Sequence, residues 1–195
     1  MLLNVRRGRS FSLHESRGEI EKLQDLLDRS YRDAGKHLRS IHTKDRRVRA
    51  PQLVERLQGM CLLVLATVSS RGRPLSAPVD GVFHRGHFYF GTDPSSVRWA
   101  HLQGNPAVSA THLPSEDFAV TVHGRAVRVD VSESDPDGLR VTLLEAYTPR
   151  YGPQWQRFLD SGPTYARIEA DRLSAIDVAA GPSEYSQALA KDPRA

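Results

Sequence analysis

A chain of 195 residues, 39% hydrophobic and 26% charged, has room for one domain with a substantial core. No uninterrupted apolar run approaches a membrane span, and the single Cys61 excludes an internal disulfide and a thiolate zinc site. The net charge of +4 is concentrated: thirteen Lys/Arg against seven Asp/Glu fall in the first fifty residues, and the remainder is slightly acidic.

Met1-Leu2-Leu3 runs into Arg6, Arg7 and Arg9 instead of an apolar signal core, so a cytoplasmic protein is expected. The stretch RRGRSFSLHESRG lacks apolar periodicity and reads as a mobile arm. From Glu19 to Ala34 the residues Ile20, Leu23, Leu26, Leu27, Tyr31 and Ala34 share one helical stripe opposite Glu21, Lys22, Asp25, Asp28 and Arg29. Such a helix needs a surface, on the body of the domain or across a dimer. Gly35 weakens or ends it, and Thr43–Arg49 reads as a solvated basic connector. Its KDRRVR run has no interleaved aromatic platform and no nucleic-acid-binding motif, so charge alone argues weakly for a nucleic-acid partner. Pro51 then starts a short helix over Gln52–Gln58, with Gly59 at its stop.

Three strands follow in succession. Cys61–Ser69 is an apolar run, Ser70-Arg71-Gly72-Arg73 supplies hairpin chemistry, Pro74–His84 returns, and His87–Thr92 follows the turn Arg85-Gly86. Asp93-Pro94-Ser95-Ser96 then combines turn formers with N-cap residues, and Val97, Trp99, Ala100 and Leu102 recur at helical spacing. A helix N-terminus is thus delivered directly off a strand end. Its free N–H groups, the hydroxyls of Thr92, Ser95 and Ser96 and the guanidinium of Arg98 together suit a phosphate. The same residues are also what an ordinary capped, solvated turn would use.

Beyond Asn105-Pro106, Ala107–His112 reads as a short strand and Leu113–Asp117 as a loop. Phe118–Val131 is a long strand with Gly124 marking a bulge, of the kind that closes a small barrel. Asp135-Pro136-Asp137-Gly138 opens a helix that ends before Pro149; Pro153 starts a second over Gln154–Leu159; Tyr165–Val178 is the last strand. The layout is a basic arm and amphipathic helix over residues 1–50, a barrel domain over 51–180 and a polar tail over 181–195.

The segments LATVSSRGRPLSAPVDGVF, HFYFGT, SSVRWAHLQGNPAVSAT and VTVHGRAVRV, in that order and spacing, resemble the flavin-binding split barrel of the pyridoxamine 5′-phosphate oxidase-like superfamily. The likeness covers Leu53–Val131, continues more weakly to Val178 and leaves the first fifty residues outside. It implies a mostly-β (α+β) fold, a six-stranded split β-barrel with peripheral helices. It further implies a homodimer with an FMN site in each groove between subunits, and an oxidoreductase that passes hydride between FMN and a small molecule. Position by position, Arg98 matches the basic residue of the family's phosphate turn, with Ser96 and Thr92 as its hydroxyls. Backbone groups of Ser76, Ala77, Pro78 and Val79, with the Ser76 hydroxyl, fall along the ring's polar edge. Two departures argue against vitamin B6 oxidation itself: Ser76 or Leu75 stands where a basic residue is usual, and Val97 precedes Arg98 where the family places a second basic residue. The segment TYARIEADRLSAIDV also lacks the Arg-rich ending that recognises that substrate.

A flavin carries its own redox chemistry, so no catalytic side chain is nominated. The deazaflavin coenzyme F-420 is the alternative cofactor; its longer acidic tail would call on the Lys44–Arg49 connector. A non-catalytic flavin- or haem-binding protein of the same fold is the alternative outside catalysis. His84 and His87 form an HxxH that straddles a predicted hairpin turn without supporting carboxylates or thiols, and no metal site is assigned. His123 reads as a structural histidine that could line the groove, and Cys61 as a small buried hydrophobe. Trp99 could cover a cofactor or pack in the core; Tyr151 and Trp155 could form a wall or ordinary core.

Overall fold

The computed structural model describes residues 14–132, 135 and 137–180. The polar tail over 181–195 and the part of the expected mobile arm before His14 lie outside the described residues; the arm's last five residues, His14–Gly18, are instead ordered, with His14 bonded to Glu145 and Ser16 capping a helix that starts at Arg17. Six strands form one closed antiparallel barrel: β1 (Met60–Val68), β2 (Pro74–His84), β3 (His87–Thr92), β4 (Ala107–His112), β5 (Phe118–Val129) and β6 (Thr164–Asp177), in the order β1-β2-β3-β6-β5-β4. Around it lie α1 (Arg17–Arg32), α2 (Lys36–Ile41), α3 (Ala50–Arg56), α4 (Val97–Gly104), α5 (Leu139–Tyr151) and α6 (Gln154–Asp160). The expected six-stranded barrel with peripheral helices is what the chain adopts. Among the described residues no helix is long and apolar enough to cross a membrane.

Strand alternation divides the apolar residues between two clusters. Cys61, Leu63 and Leu65 of β1 point inward with Phe83, Phe88, Phe90, Val120, Val122 and Ile168, filling the barrel. The other faces of β2, β3 and β6 send out Val82, Tyr89 and Tyr165 to meet Leu139, Leu143 and Tyr147 of α5 and Leu159 of α6. The β2–β3 hairpin closes through Arg85 (φ 49°) and Gly86 (φ 83°), the two left-handed residues of a type I′ turn. Glu19 of α1 pairs with Arg85 and holds this strained non-glycine position.

The register fixes the most consequential feature. β3 has six residues, and it lies between β2 with eleven and β6 with fourteen. β2 pairs with β3 only over Gly81–His84, and β6 pairs with β3 only over Thr164–Arg167. Each long strand therefore overruns β3, at opposite ends, and presents one edge without a strand partner. The overrun of β6 is covered by the N-terminal segment. Tyr31 Oη donates to Ala175 O at 2.7 Å and accepts from Ala175 N at 3.1 Å, and Ser30 Oγ accepts from Leu173 N at 2.9 Å. Asp177 N donates to Arg46 O at 2.9 Å, and Arg47 forms a β-bridge with Ile176. The amphipathic stripe thus packs on its own barrel, with Leu23, Leu26, Leu27 and Tyr31 buried.

Three local expectations are corrected. The Thr43–Arg49 stretch is not a solvated connector: Arg46 and Val48 are buried, because the segment serves as a partner for the β6 edge. Helix formation resumes after Gly35 as α2, with Gly35 its N-cap. Helix α5 runs through Pro149 to Tyr151 and stops at Gly152 (φ 77°), since a proline in the final turn forfeits only one late hydrogen bond.

The Gly124 bulge is present as a register shift between His123 and Gly124. A Cβ at Gly124 would lie 2.0 Å from Glu169 O, a backbone atom that cannot step aside. Gly124→Ala is expected to lower the urea-unfolding free energy by about 3 kcal/mol. Gly18→Ala, in open space on α1, should leave it unchanged or slightly raised.

Candidate functional site

The uncovered edge of β2 has a definite orientation. His84 and His87 close the two-residue hairpin as a hydrogen-bonded pair, so counting back by twos turns the backbone groups of Asp80, Pro78 and Ser76 toward the unpaired side. Arg98 marks this edge, since its Nη2 donates to Pro78 O at 3.2 Å. The guanidinium is half-buried, and desolvation lowers its pKa without bringing it near neutrality. Arg98 stands in the first turn of α4, which leaves β3 through the Asp93–Ser96 turn. The expected phosphate turn and the expected ring edge are therefore brought together by one hydrogen bond.

The turn is partly committed to itself. Ser96 caps α4 by accepting from Trp99 N at 3.1 Å, and its hydroxyl shares a 3.0 Å hydrogen bond with Thr92. Val97 and Arg98 retain the first-turn N–H groups that have no intrahelical acceptor. Ser95 departs from expectation: its N–H and hydroxyl both bond Asp93 Oδ1, at 2.7 and 2.6 Å. These bonds hold the Asp93 carboxyl below the usual range and take Ser95 out of the donor set. Trp99 and Val79 pack against the barrel core. Along β2, Ser76, Pro78 and Asp80 share the outer face with Ala66, Val64 and Leu62 of β1, whereas Ala77 and Val79 share the inner one. Of the predicted set, Arg98, Thr92 and Ser96 are brought to the β2 edge at Pro78, whereas Ser95 is turned to Asp93 and Ala77 and Val79 lie on the inner face.

A cavity of about 550 Å³ opens beside this edge, lined by Val79, Asp80, Gly91, Thr92, Tyr147, Trp155, Phe158 and Tyr165 among others. Its wall is an aromatic column. Tyr151 and Trp155 stack at 5.2 Å and 22°, Tyr147 lies 4.7 Å from Trp155, and Trp155 4.8 Å from Phe158. Burial, with the charge of Asp80 behind it, raises the Tyr147 and Tyr165 phenols above the ordinary range, so both remain protonated donors. The Trp155 indole nitrogen is buried without an acceptor. Sequence reasoning reached Tyr151 and Trp155 but missed Asp80, Tyr147 and Tyr165. Their spacing along α5 and β6 marks them only as apolar-face residues. A larger cleft, about 770 Å³, adjoins it across Gly162 and Pro163, around the Arg140–Asp160 ion pair at the C-terminal end of β5, and has no aromatic wall.

The remaining candidates are accounted for locally. His84 bonds Asp137 O and the Thr142 hydroxyl, each at 2.8 Å, and His87 donates to Ile168 O at 3.3 Å. Among the described residues no three His, Cys, Asp or Glu side chains are grouped to hold a metal. His123 is tied to the Ser109 hydroxyl at 2.7 Å. Burial pushes the Cys61 thiol up to about 12, leaving it inert at neutral pH. Burial also lowers the pKa of His42, His84 and His87 below the ordinary 6.5. Below pH 6.5 the unfolded chain binds protons that these native imidazoles refuse, so stability present above that pH declines as it falls toward their native values. The urea midpoint is therefore expected to be lower at pH 5.5 than at pH 7.5, where carboxylates stay ionised in both states.

Comparison with known proteins agrees with this architecture. A family model described as pyridoxamine 5′-phosphate oxidase matches residues 50–174. A conserved hypothetical protein from Mycobacterium tuberculosis superposes with a TM-score of 0.57 at 21% identity, over 71% of this chain and 90% of its own. A FAD-binding protein from Mesorhizobium loti gives 0.49 at 16% identity, over 68% and 95%. HutZ, the heme storage protein from Vibrio cholerae, gives 0.49 at 19%, over 65% and 93%. At 21% identity the likeness to the Mycobacterium tuberculosis structure is one of fold. No curated protein matches the chain.

Proposed function

The chain belongs to the pyridoxamine 5′-phosphate oxidase family, and we propose that within it the protein is a homodimeric, FMN-binding oxidoreductase acting on a small molecule. The observation that carries this reading is the bond from Arg98 to Pro78 O, which couples an anion-binding helix start to an open strand edge.

The donor chemistry fits a flavin phosphate. Arg98 supplies a fixed positive charge, the N–H groups of Val97 and Arg98 point out of the positive end of α4, and the Thr92–Ser96 pair supplies hydroxyls. Ser76 and Asp80 offer backbone donors and acceptors along the open β2 edge for the polar rim of a ring, and Pro78 an acceptor. When bound, the flavin supplies the hydride chemistry, and the protein need only position it and its substrate. The aromatic column keeps one side of the edge dry. A second copy is the natural cover for the other side, because Leu62 and Val64 stand 54% and 51% exposed on the outer face of β1 beside Ser109 and Thr111.

FMN is favoured over F-420 by the place of the basic segment. The Lys44–Arg49 stretch runs along the far end of β6, where Asp177 meets Arg46, while the phosphate turn adjoins Thr164 at the opposite end. Within one chain it cannot hold an acidic tail. Titration with FMN, F-420 and haem, followed by visible absorption, separates the three ligands. Arg98→Ala is expected to weaken FMN binding by about 1.5–3 kcal/mol, the worth of a charge-assisted bond, with an unchanged fold. Unchanged affinity removes Arg98 from the site, and a haem Soret band without flavin binding replaces the reading with a storage or carrier role.

A further inference from the structure

We propose that the aromatic cavity beside the β2 edge is a site for an organic ammonium cation carrying an aromatic ring, an arylalkylamine protonated at neutral pH, with Asp80 as its counter-ion. Calling that cation the substrate rests on the flavin reading above; the preference of the cavity for it does not.

Asp80 is a half-buried carboxylate on the cavity wall, and its hydrogen bond comes from the Tyr151 hydroxyl at 3.4 Å, a long and neutral contact. Among the described residues no Lys, Arg or His lines the cavity. Arg98, on the same strand edge, is bonded to Pro78 O, and the other acid at the rim, Asp93, is engaged with Ser95. A carboxylate in this setting is left with aromatic surfaces for company. Its charge reaches the phenols of Tyr147 and Tyr165, which are buried against α5 and β6.

Aromatic faces and a carboxylate are complementary to the same ligand. A cation is drawn to the accessible ring surface of Trp155 and Phe158 by their quadrupoles, and most strongly to the indole, whereas Tyr147 is fully buried behind them. The Asp80 carboxylate completes the charge balance in a partly dry cavity, where an unpaired ion is costly. The volume of about 550 Å³ suits a drug-sized or smaller molecule. On the aromatic wall, away from the phosphate turn at Thr92–Pro94, an anionic group finds no counter-charge and meets Asp80 directly.

The test is calorimetric titration of the full chain with three isosteres: tyramine (cation), 2-(4-hydroxyphenyl)ethanol (neutral) and 4-hydroxyphenylacetate (anion). Tyramine is expected to bind at least tenfold more tightly than the alcohol, with the acid not measurable. Asp80→Asn should bring tyramine to the level of the alcohol, and Trp155→Leu, which keeps the carboxylate, should weaken tyramine about tenfold. The proposal is overturned if the acid binds as well as the amine, if no isostere binds, or if the preference survives loss of the Asp80 charge. Parallel FMN titration separates the two readings. FMN binding without amine binding overturns this inference alone, whereas amine preference without FMN binding supports the cation site and removes its link to flavin chemistry.

Discussion

The structure depends on one constraint: backbone groups of a strand must find partners, and β3 is too short to supply them. A six-residue strand between neighbours of eleven and fourteen cannot cover either one. The barrel closes, yet it leaves two uncovered edges at opposite ends of β3. What happens to each edge accounts for most of what lies outside the barrel.

The β6 edge is satisfied from within the chain. Ser30 and Tyr31 spend their hydroxyls on the backbone of Leu173 and Ala175, and Arg46–Val48 runs alongside as a surrogate strand. The backbone of the N-terminal basic segment is thus committed to the barrel, and Arg47 lies over the Tyr31 ring at 4.7 Å. Further charges lock the arrangement. Glu19 reaches Arg85 in the β2–β3 turn, Arg85 reaches Asp137, and Arg167 joins Asp137 to Glu169 and so to Arg125. The network ties α1, the hairpin and β6 into one body.

Among the described residues the β2 edge has no strand partner, and the Arg98 guanidinium bonds to it at Pro78 O. An edge in this condition invites association, and here the approach is restricted by α4 on one side and by the column of Tyr151, Trp155 and Phe158 on the other. The proposed flavin site uses the polarity of the edge, and the proposed cation site uses the aromatic wall and the carboxylate next to it. Both consequences follow from the same short strand.

How much of this was legible beforehand can be read residue by residue. Local pattern determined the elements: apolar runs, alternation and turn residues marked all six strands, the Ser96 cap and the Asp93-Pro94 turn fixed the start of α4, and Gly124 announced its bulge, because these signals arise from interactions within a few residues. The match of Arg98, Thr92 and Ser96 to a phosphate turn was visible for the same reason. Tertiary structure alone decided that Arg98 reaches Pro78, twenty residues away, and that Ser95 turns to Asp93. It alone placed Asp80 before the rings of α5 and α6, and laid the basic segment along β6. Those outcomes depend on register, and register is set by which strand runs out of partner first. That is a comparison between distant segments, and no single window of sequence contains it.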